Sequence, residues 1–336
     1  MGLKLIPKDK GSSNKNQTLP KYDHEHVEAG TLEGPSALNA PTPFIDKIAV
    51  VLTITSTKLA QQIHSALYQA MTNDTEYFQS VAKHVKGFQL GKLITMPGCE
   101  ERVRIDYNFQ NSLANRIRLE FNPAKLGFWG MKELHGVLTS VMPEGWDHFV
   151  TDGRISRLDV AVDLIGVRMT KLKMQPKIGQ SAQAWWSSDG KLKTYQWGKP
   201  TGTHTQIYNK TAEQLARGIA VTGPQVTRIE RRLKNPKYKK LTDLAGMNNP
   251  FAGIVLTTSI PEAPPGGPSY VWPMFCDSVQ VRTLDLALKL LPKHKRTVYR
   301  NQFTKAAPLW WNPEAIWKMW PAMLDEIKIG STTAWK

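Results

Sequence analysis

Between Phe44 and Lys240 polar and apolar residues trade places at every second position in run after run, a pattern that predicts half-buried strands separated by a few helices. In the first run Ile48, Val50, Leu52 and Ile54 fall on one face. Leu59, Ile63, Leu67 and Met71 then recur at helical spacing behind Ser56-Thr57, and Asn73-Asp74 suits the stop, so an amphipathic helix is expected. Strands follow over 87–96 and 101–109, then RIRLEFNP (116–123), a helix over 130–142 ending at Pro143, and RISRLDVAVDL (154–164). TYQWG (194–198), a glycine-rich turn over 199–202 and TQIYNK (205–210) predict a hairpin; helical 211–217 and the strand TRIERRLK (227–234) follow. The expected fold class is α+β, an antiparallel-rich central sheet with flanking helices, plus a small C-terminal helical domain.

The flanks read differently. Residues 1–42 are rich in Lys, Asn, Ser, Gly and Pro, too poor in large apolar side chains to order themselves, and are expected to form a flexible basic arm. The folded core is expected over 43–245, a Pro/Gly-rich linker over 246–269, and a basic, Trp-rich helical region over 270–336. That last region holds apolar residues at helical spacing over 284–291 and the tryptophans Trp310, Trp311, Trp317 and Trp320. Most of these tryptophans are expected in a small core packed against the sheet; the other use for them is stacking on unpaired bases.

The polar faces of the strands carry the candidate chemistry. In RLDVAVDL, Arg157, Asp159 and Asp163 share one face with Ala161; RIRLEFN places Glu120 beside Arg116 and Arg118; TRIERRLK places Glu230 between Arg228 and Arg232. In TQIYNK, Tyr208 stands beside Gln206 and Lys210. Asp159 and Asp163 project the same way but lie about 13 Å apart along a strand, so they need not touch one ion. Oxygen ligands suit Mg²⁺ or Mn²⁺, which can polarise a phosphate oxygen, and a tyrosine can then serve as nucleophile. For any one strand alone the plainer reading is a solvated face with weak Arg–carboxylate pairs.

Composition changes this picture in one respect. Lys plus Arg number 44 against 28 Asp plus Glu, a net charge of +16, which points to a polyanionic partner through counterion release. Cys99 and Cys276 are too few and too far apart for a disulfide framework or a cysteine-built zinc site. The start has no signal-peptide core and no apolar run reaches 18 residues, so a cytoplasmic protein with no membrane partner is expected. His24-Glu25-His26 falls in the arm and reads as a solvated accident rather than a ligand pair.

In order and spelling, four segments resemble the replication initiators of rolling-circle plasmids and filamentous phages, the group sometimes called Rep_trans, which includes relaxase-like proteins of mobile elements. The segments are Arg157-Leu158-Asp159, Thr194 to Gly198, Tyr208-Asn209-Lys210 through Glu213, and Arg228-Ile229-Glu230; LEFNPAKL is similar to a Glu-containing strand and Pro-Ala-Lys turn of the phage members. The resemblance covers about 44–240 and implies a metal-dependent DNA nicking-closing endonuclease, active in a bacterial host cell. It implies Tyr208 as the attacking residue, with Lys210 beside it, and Asp159 and Glu230 as ligands of Mg²⁺ or Mn²⁺, with Glu120 a further candidate. Asp163, Arg157 and Arg228 are polar neighbours, and Tyr195 is the reserve nucleophile. His204, four residues before Tyr208, is a lone strand histidine.

DNA contacts are expected from Lys234, Lys237, Lys239 and Lys240 and from Lys293, Lys295, Arg296 and Arg300. The partner is origin DNA, single-stranded or supercoiled, with a host helicase and polymerase, since no Gly-x-x-x-x-Gly-Lys-Ser/Thr loop is present; a homodimer is left open. A conjugative relaxase would use the same site, and a non-catalytic DNA-binding regulator would need no nucleophile.

Overall fold

A computed structural model of the chain describes residues 40–333, apart from 74–76, 82, 84, 109–114, 143–144, 170–171, 176–180, 189, 191, 200, 238, 258–261, 283, 306–307 and 309. The expected arm, with His24 and His26, lies outside the described residues up to position 39. Among the described residues ten strands form one sheet: β1 (Pro43–Thr53), β2 (Phe78–Ser80), β3 (Leu90–Ile94), β4 (Val103–Asn108), β5 (Arg116–Phe121), β6 (Arg154–Ile165), β8 (Ala182–Trp186), β9 (Leu192–Gly198), β10 (His204–Asn209) and β11 (Val226–Lys234). Their order is β2-β3-β4-β5-β1-β6-β11-β10-β9-β8, and neighbouring strands pair antiparallel. β7 (Lys173–Gln175) and β12 (Val255–Thr257) pair separately. The α+β class expected from the sequence is the class observed.

Alternation sorts the two faces. On one, Ile48, Val50 and Leu52 of β1 meet Ile117 and Leu119 of β5 and Leu158, Val160 and Val162 of β6, all fully buried. Each such side chain contributes about 1.5–3 kcal/mol on leaving water. This face is covered by α1 (Thr57–Asn73), α2 (Pro123–Val141) and α3 (Gly145–Asp152). The buried stripe of α1 is Ala60, Ile63, Leu67 and Met71, the spacing read from the sequence. α2 starts earlier than expected because Asn122 caps it, its side chain accepting from the Lys125 N–H, with Pro123 in the first turn. Gly127, at φ 59°, interrupts this helix, which is why the regular spacing becomes legible only near 130.

The hairpin β9–β10 is closed by Gly198, whose φ is +94°. A Cβ there would lie 2.7 Å from the Thr203 carbonyl oxygen, so the glycine is required by both conformation and space. After it come α4 (Lys210–Ala216) and β11.

The C-terminal third departs from the expected linker-plus-tail division. α5 (Val271–Arg282), α6 (Leu284–Lys289) and α7 (Lys293–Lys305) share a separate core in which Trp272, Phe275, Tyr299 and Phe303 pack ring against ring. α8 (Pro313–Trp317) and α9 (Trp320–Ile327) instead join the main core. Three indole N–H groups fix that return: Trp311 donates to the Ile254 carbonyl at 2.9 Å, Trp317 to Met247 at 3.1 Å and Trp320 to Leu244 at 2.7 Å. Residues 244–254 are thereby pinned, so the first part of the expected linker is packed structure. Among the described residues no helix is long and apolar enough to cross a membrane.

Candidate active site

The other face of the sheet is polar, and register alone brings its side chains together. On β11, Arg228, Glu230 and Arg232 stand opposite Asp163, Ala161 and Asp159 of β6, and opposite Tyr208, Gln206 and His204 of β10. Asp159 is 1% exposed and Glu230 5%, so these acids are buried on a face that reads from sequence as solvated. Burial of ionised groups is tolerated only with close counter-charges and hydrogen bonds. Arg157 and Arg232 both bond Asp159, Arg232 also reaches Glu230 Oε1 at 3.1 Å, and Arg228 grips Asp163 with two bonds of 2.7 and 2.8 Å.

Asp46 completes the group, although alternation along β1 assigns it to the core face with Ile48 and Val50. A bulge between Ile45 and Lys47 inserts an extra residue and turns Asp46 to the polar side. There it accepts from Arg228 Nη1 at 2.5 Å and from Asn122 Nδ2 at 3.3 Å, so the residue that caps α2 also steadies the site. Arg228 in addition lies over the Phe44 ring, 5.0 Å from its centroid.

Tyr208 donates its hydroxyl to Glu230 Oε2 at 3.3 Å. Burial, then the charges of Glu230 and Asp46, push the phenol well above its ordinary range, against the pull of Arg228. Glu230 is also raised, by burial and then by the like charges of Asp159 and Asp46, with Arg232 and Arg228 opposing. A carboxylate held above its usual range accepts a proton more readily. Above the pair opens a cavity of about 380 Å³, lined by Tyr208, Glu230, Arg232, Thr194, Lys193 and Arg217 among others. It presents a hydroxyl, an adjacent base and several cations to one space, the components for attack on a phosphodiester.

No protein-family model matches the chain, and no curated protein matches it. A solved structure titled as that of the rolling circle replication initiator protein from Geobacillus stearothermophilus is similar at 13% identity and a TM-score of 0.37, over 72% of this chain and 97% of that one. At that TM-score the likeness bears no weight on what this chain does.

Several expected site residues lie elsewhere. Glu120 is separated from Glu230 by β1 and β6, and it pairs with Arg118 and with Lys47 at 3.7 Å. It therefore shares no ion with Glu230. Lys210 does not extend the strand: Asn209 caps α4, its side chain accepting from the Ala212 N–H, so Lys210 turns into the helix and bonds Glu213 at 2.7 Å. Tyr195 faces the apolar side, packed 5.6 Å from the Trp197 ring, with burial pushing its phenol up to about 12. His204 is buried, bonded through Nδ1 to the Gly202 carbonyl at 3.1 Å, and burial lowers its pKa. Arg296 donates to the carbonyls of Leu291 and Lys289 and so closes the end of α6, whereas Lys237, Lys239, Lys240 and Lys293 are exposed.

Asp159 and Glu230 offer hard oxygen donors from adjacent strands, and a cation, the Arg232 guanidinium, already bridges them. Among the described residues no group of three acidic, cysteine or histidine side chains converges to hold an ion as it stands.

Proposed function

We propose that the chain nicks one strand of DNA by attack of Tyr208 on a phosphodiester and later reseals it, as a rolling-circle replication initiator does. The observation that carries the reading is the Tyr208 hydroxyl donating to Glu230 at the floor of an open, cation-lined cavity. In the first step the Tyr208 oxygen bonds to phosphorus, its proton passes to Glu230, and the bond from phosphorus to the 3′ oxygen breaks. The 5′ phosphate stays on the tyrosine, and the leaving 3′ oxygen takes up the proton that Glu230 passes on, so that it departs as a hydroxyl able to prime synthesis. Arg232, with Lys193 and Arg217, stabilises the negative charge that grows on the phosphoryl oxygens. Asp159 and Glu230, bridged by the Arg232 guanidinium and with Glu230 taking the tyrosine proton, do not by themselves fit a divalent ion, and Mg²⁺ or Mn²⁺ would need further oxygen ligands from the DNA to polarise the phosphate. Arg228, bound to Asp163 and Asp46, fixes the wall of the site.

The test is incubation of the protein with supercoiled plasmid carrying its origin, with and without Mg²⁺ or Mn²⁺. Nicked circles and a covalent protein–DNA adduct are expected from the wild type and not from Tyr208→Phe. Absence of both from the wild type with either metal overturns the enzymatic reading.

A further inference from the structure

On the opposite, helix-bearing side of the same sheet, a second cavity of about 410 Å³ lies between the ends of β9–β11 and the segment 247–254. Its lining includes Arg231, Lys234, Lys237, Thr205, Asn248 and Asn249 and, among the described residues, no acidic one. Arg231 is the unusual member. It neighbours Val160 and Thr205 across the ladder, on a face otherwise given to apolar packing. Its Nη1 donates to Thr205 Oγ1 at 2.6 Å, but its Nε is buried with no hydrogen-bond partner, and among the described residues it forms no ion pair. Arg228 and Arg232, its neighbours on the strand, each hold carboxylates.

A half-buried guanidinium with no counter-ion is costly unless something anionic completes it. Burial lowers the Arg231 pKa, the direction expected of a cation whose partner is missing. The cavity has the volume for that partner, and its rim supplies Lys234 and Lys237, with the exposed Lys239 and Lys240 following in the sequence. The opposite wall is held in place by the indole bonds from Trp311 and Trp317 to Ile254 and Met247, so the site is built rather than improvised.

We propose that this pocket binds a backbone phosphate of a single nucleic-acid strand, with Arg231 as the fork-shaped donor and Lys234 and Lys237 as flanking charges. The exposed Lys239 and Lys240 that follow Lys237 in the sequence favour a strand, with several phosphates, over a single free phosphate. This binding is separate from the Tyr208 site, on the other face, and requires no cleavage.

The test measures binding of a fluorescein-labelled oligothymidylate to the full chain by anisotropy, in EDTA and over a range of salt. Arg231→Met and the paired surface change Lys234→Gln with Lys237→Gln are expected to weaken binding about tenfold or more. For every strand phosphate that a variant ceases to neutralise, the slope of log affinity against log salt should fall by about 0.7. Should Arg231→Met fail to fold, the surface pair carries the test alone. Unchanged affinity and slope in the variants that fold overturn the proposal. So does a result in which inorganic phosphate raises the melting temperature of the wild type but not of the variants while oligothymidylate affinity stays the same, because the pocket then takes free phosphate. Loss of strand binding here with nicking absent throughout would leave this site standing and the Tyr208 reading fallen.

Discussion

On the β4–β5 side of the polar face, Asp106 is fully buried and accepts from Arg104 and Arg118, and Arg118 also holds Glu120. On the β6–β11 side, Asp159, Asp163, Asp46 and Glu230 are held by Arg157, Arg228 and Arg232. Both regions are built from the same residue types on the same face. In the first, cations exceed acids, and Arg118, Lys47 and Arg157 overcome burial to hold Glu120 below the usual carboxylate range. In the second, acids exceed cations, and Glu230 is held above it. A closed ladder with Glu120 held low is a fastening; an acid surplus with a hydroxyl set against it has the make-up of a place for chemistry.

The sharpest break of that contrast is the proposed nucleophile, Tyr208. Tyr208→Phe removes one hydroxyl and one hydrogen bond, so nicking should fall at least about 10³-fold with little change in melting temperature. Tyr195→Phe, on the apolar face, should nick as the wild type does. An adduct that survives the first change and is lost with the second would reassign the site to the other side of the sheet, against the packing of Tyr195 on Trp197.

Glu230→Gln keeps the shape and removes the proposed base. Nicking should drop about 10²–10⁴-fold, measured as single-turnover adduct formation. If the same change at Glu120 costs as much, the two regions are not distinct and a surplus of acids does not mark the site.

The closed ladder should answer in stability instead. Asp106→Ala leaves Arg104 and Arg118 without their buried partner, and a loss of about 3–5 kcal/mol by urea unfolding is expected, with nicking per folded molecule retained. Gly91→Ala approaches the same carboxylate from β3, since a Cβ there would lie 2.7 Å from Asp106 Oδ1; overpacking should cost about 1–3 kcal/mol. A loss of nicking without a loss of stability in either variant would mean that this side of the face also serves the reaction.

Much of this arrangement is legible in the sequence, because strict alternation over β5, β6, β10 and β11 places Glu120, Asp159, Tyr208 and Glu230 on one face before any coordinates are known. What alternation cannot express is position across the sheet. Glu120 and Glu230 share a face yet stand three strands apart, a fact of strand order alone. Nor does it register irregularity. The β1 bulge turns Asp46 into the site against its parity, and the Asn209 cap takes Lys210 out of the strand. Arg231 is hidden in another way: in TRIERRLK it falls on the apolar face with Ile229 and Leu233, and what sets it apart from Arg228 and Arg232 is that it forms no ion pair among the described residues.

The smallest expected effect is also the most diagnostic, because stability and activity should move in opposite directions with pH. Glu120 is lowered in the folded chain, so its contribution is present above the ordinary carboxylate pKa and is lost as pH falls through the lowered value. Glu230 is raised, so its contribution is present below the ordinary pKa and is lost as pH rises through the raised value. Urea unfolding across pH should therefore show Glu120→Gln flattening the acid limb and Glu230→Gln flattening the decline above it. The proposed nicking step needs Glu230 ionised to take the Tyr208 proton, so its rate should climb over the interval in which Glu230 costs stability. If the stability profile of Glu230→Gln superimposes on that of the wild type, Glu230 is not held high in the fold. Its role as the base would then rest on the 3.3 Å hydrogen bond from Tyr208 alone.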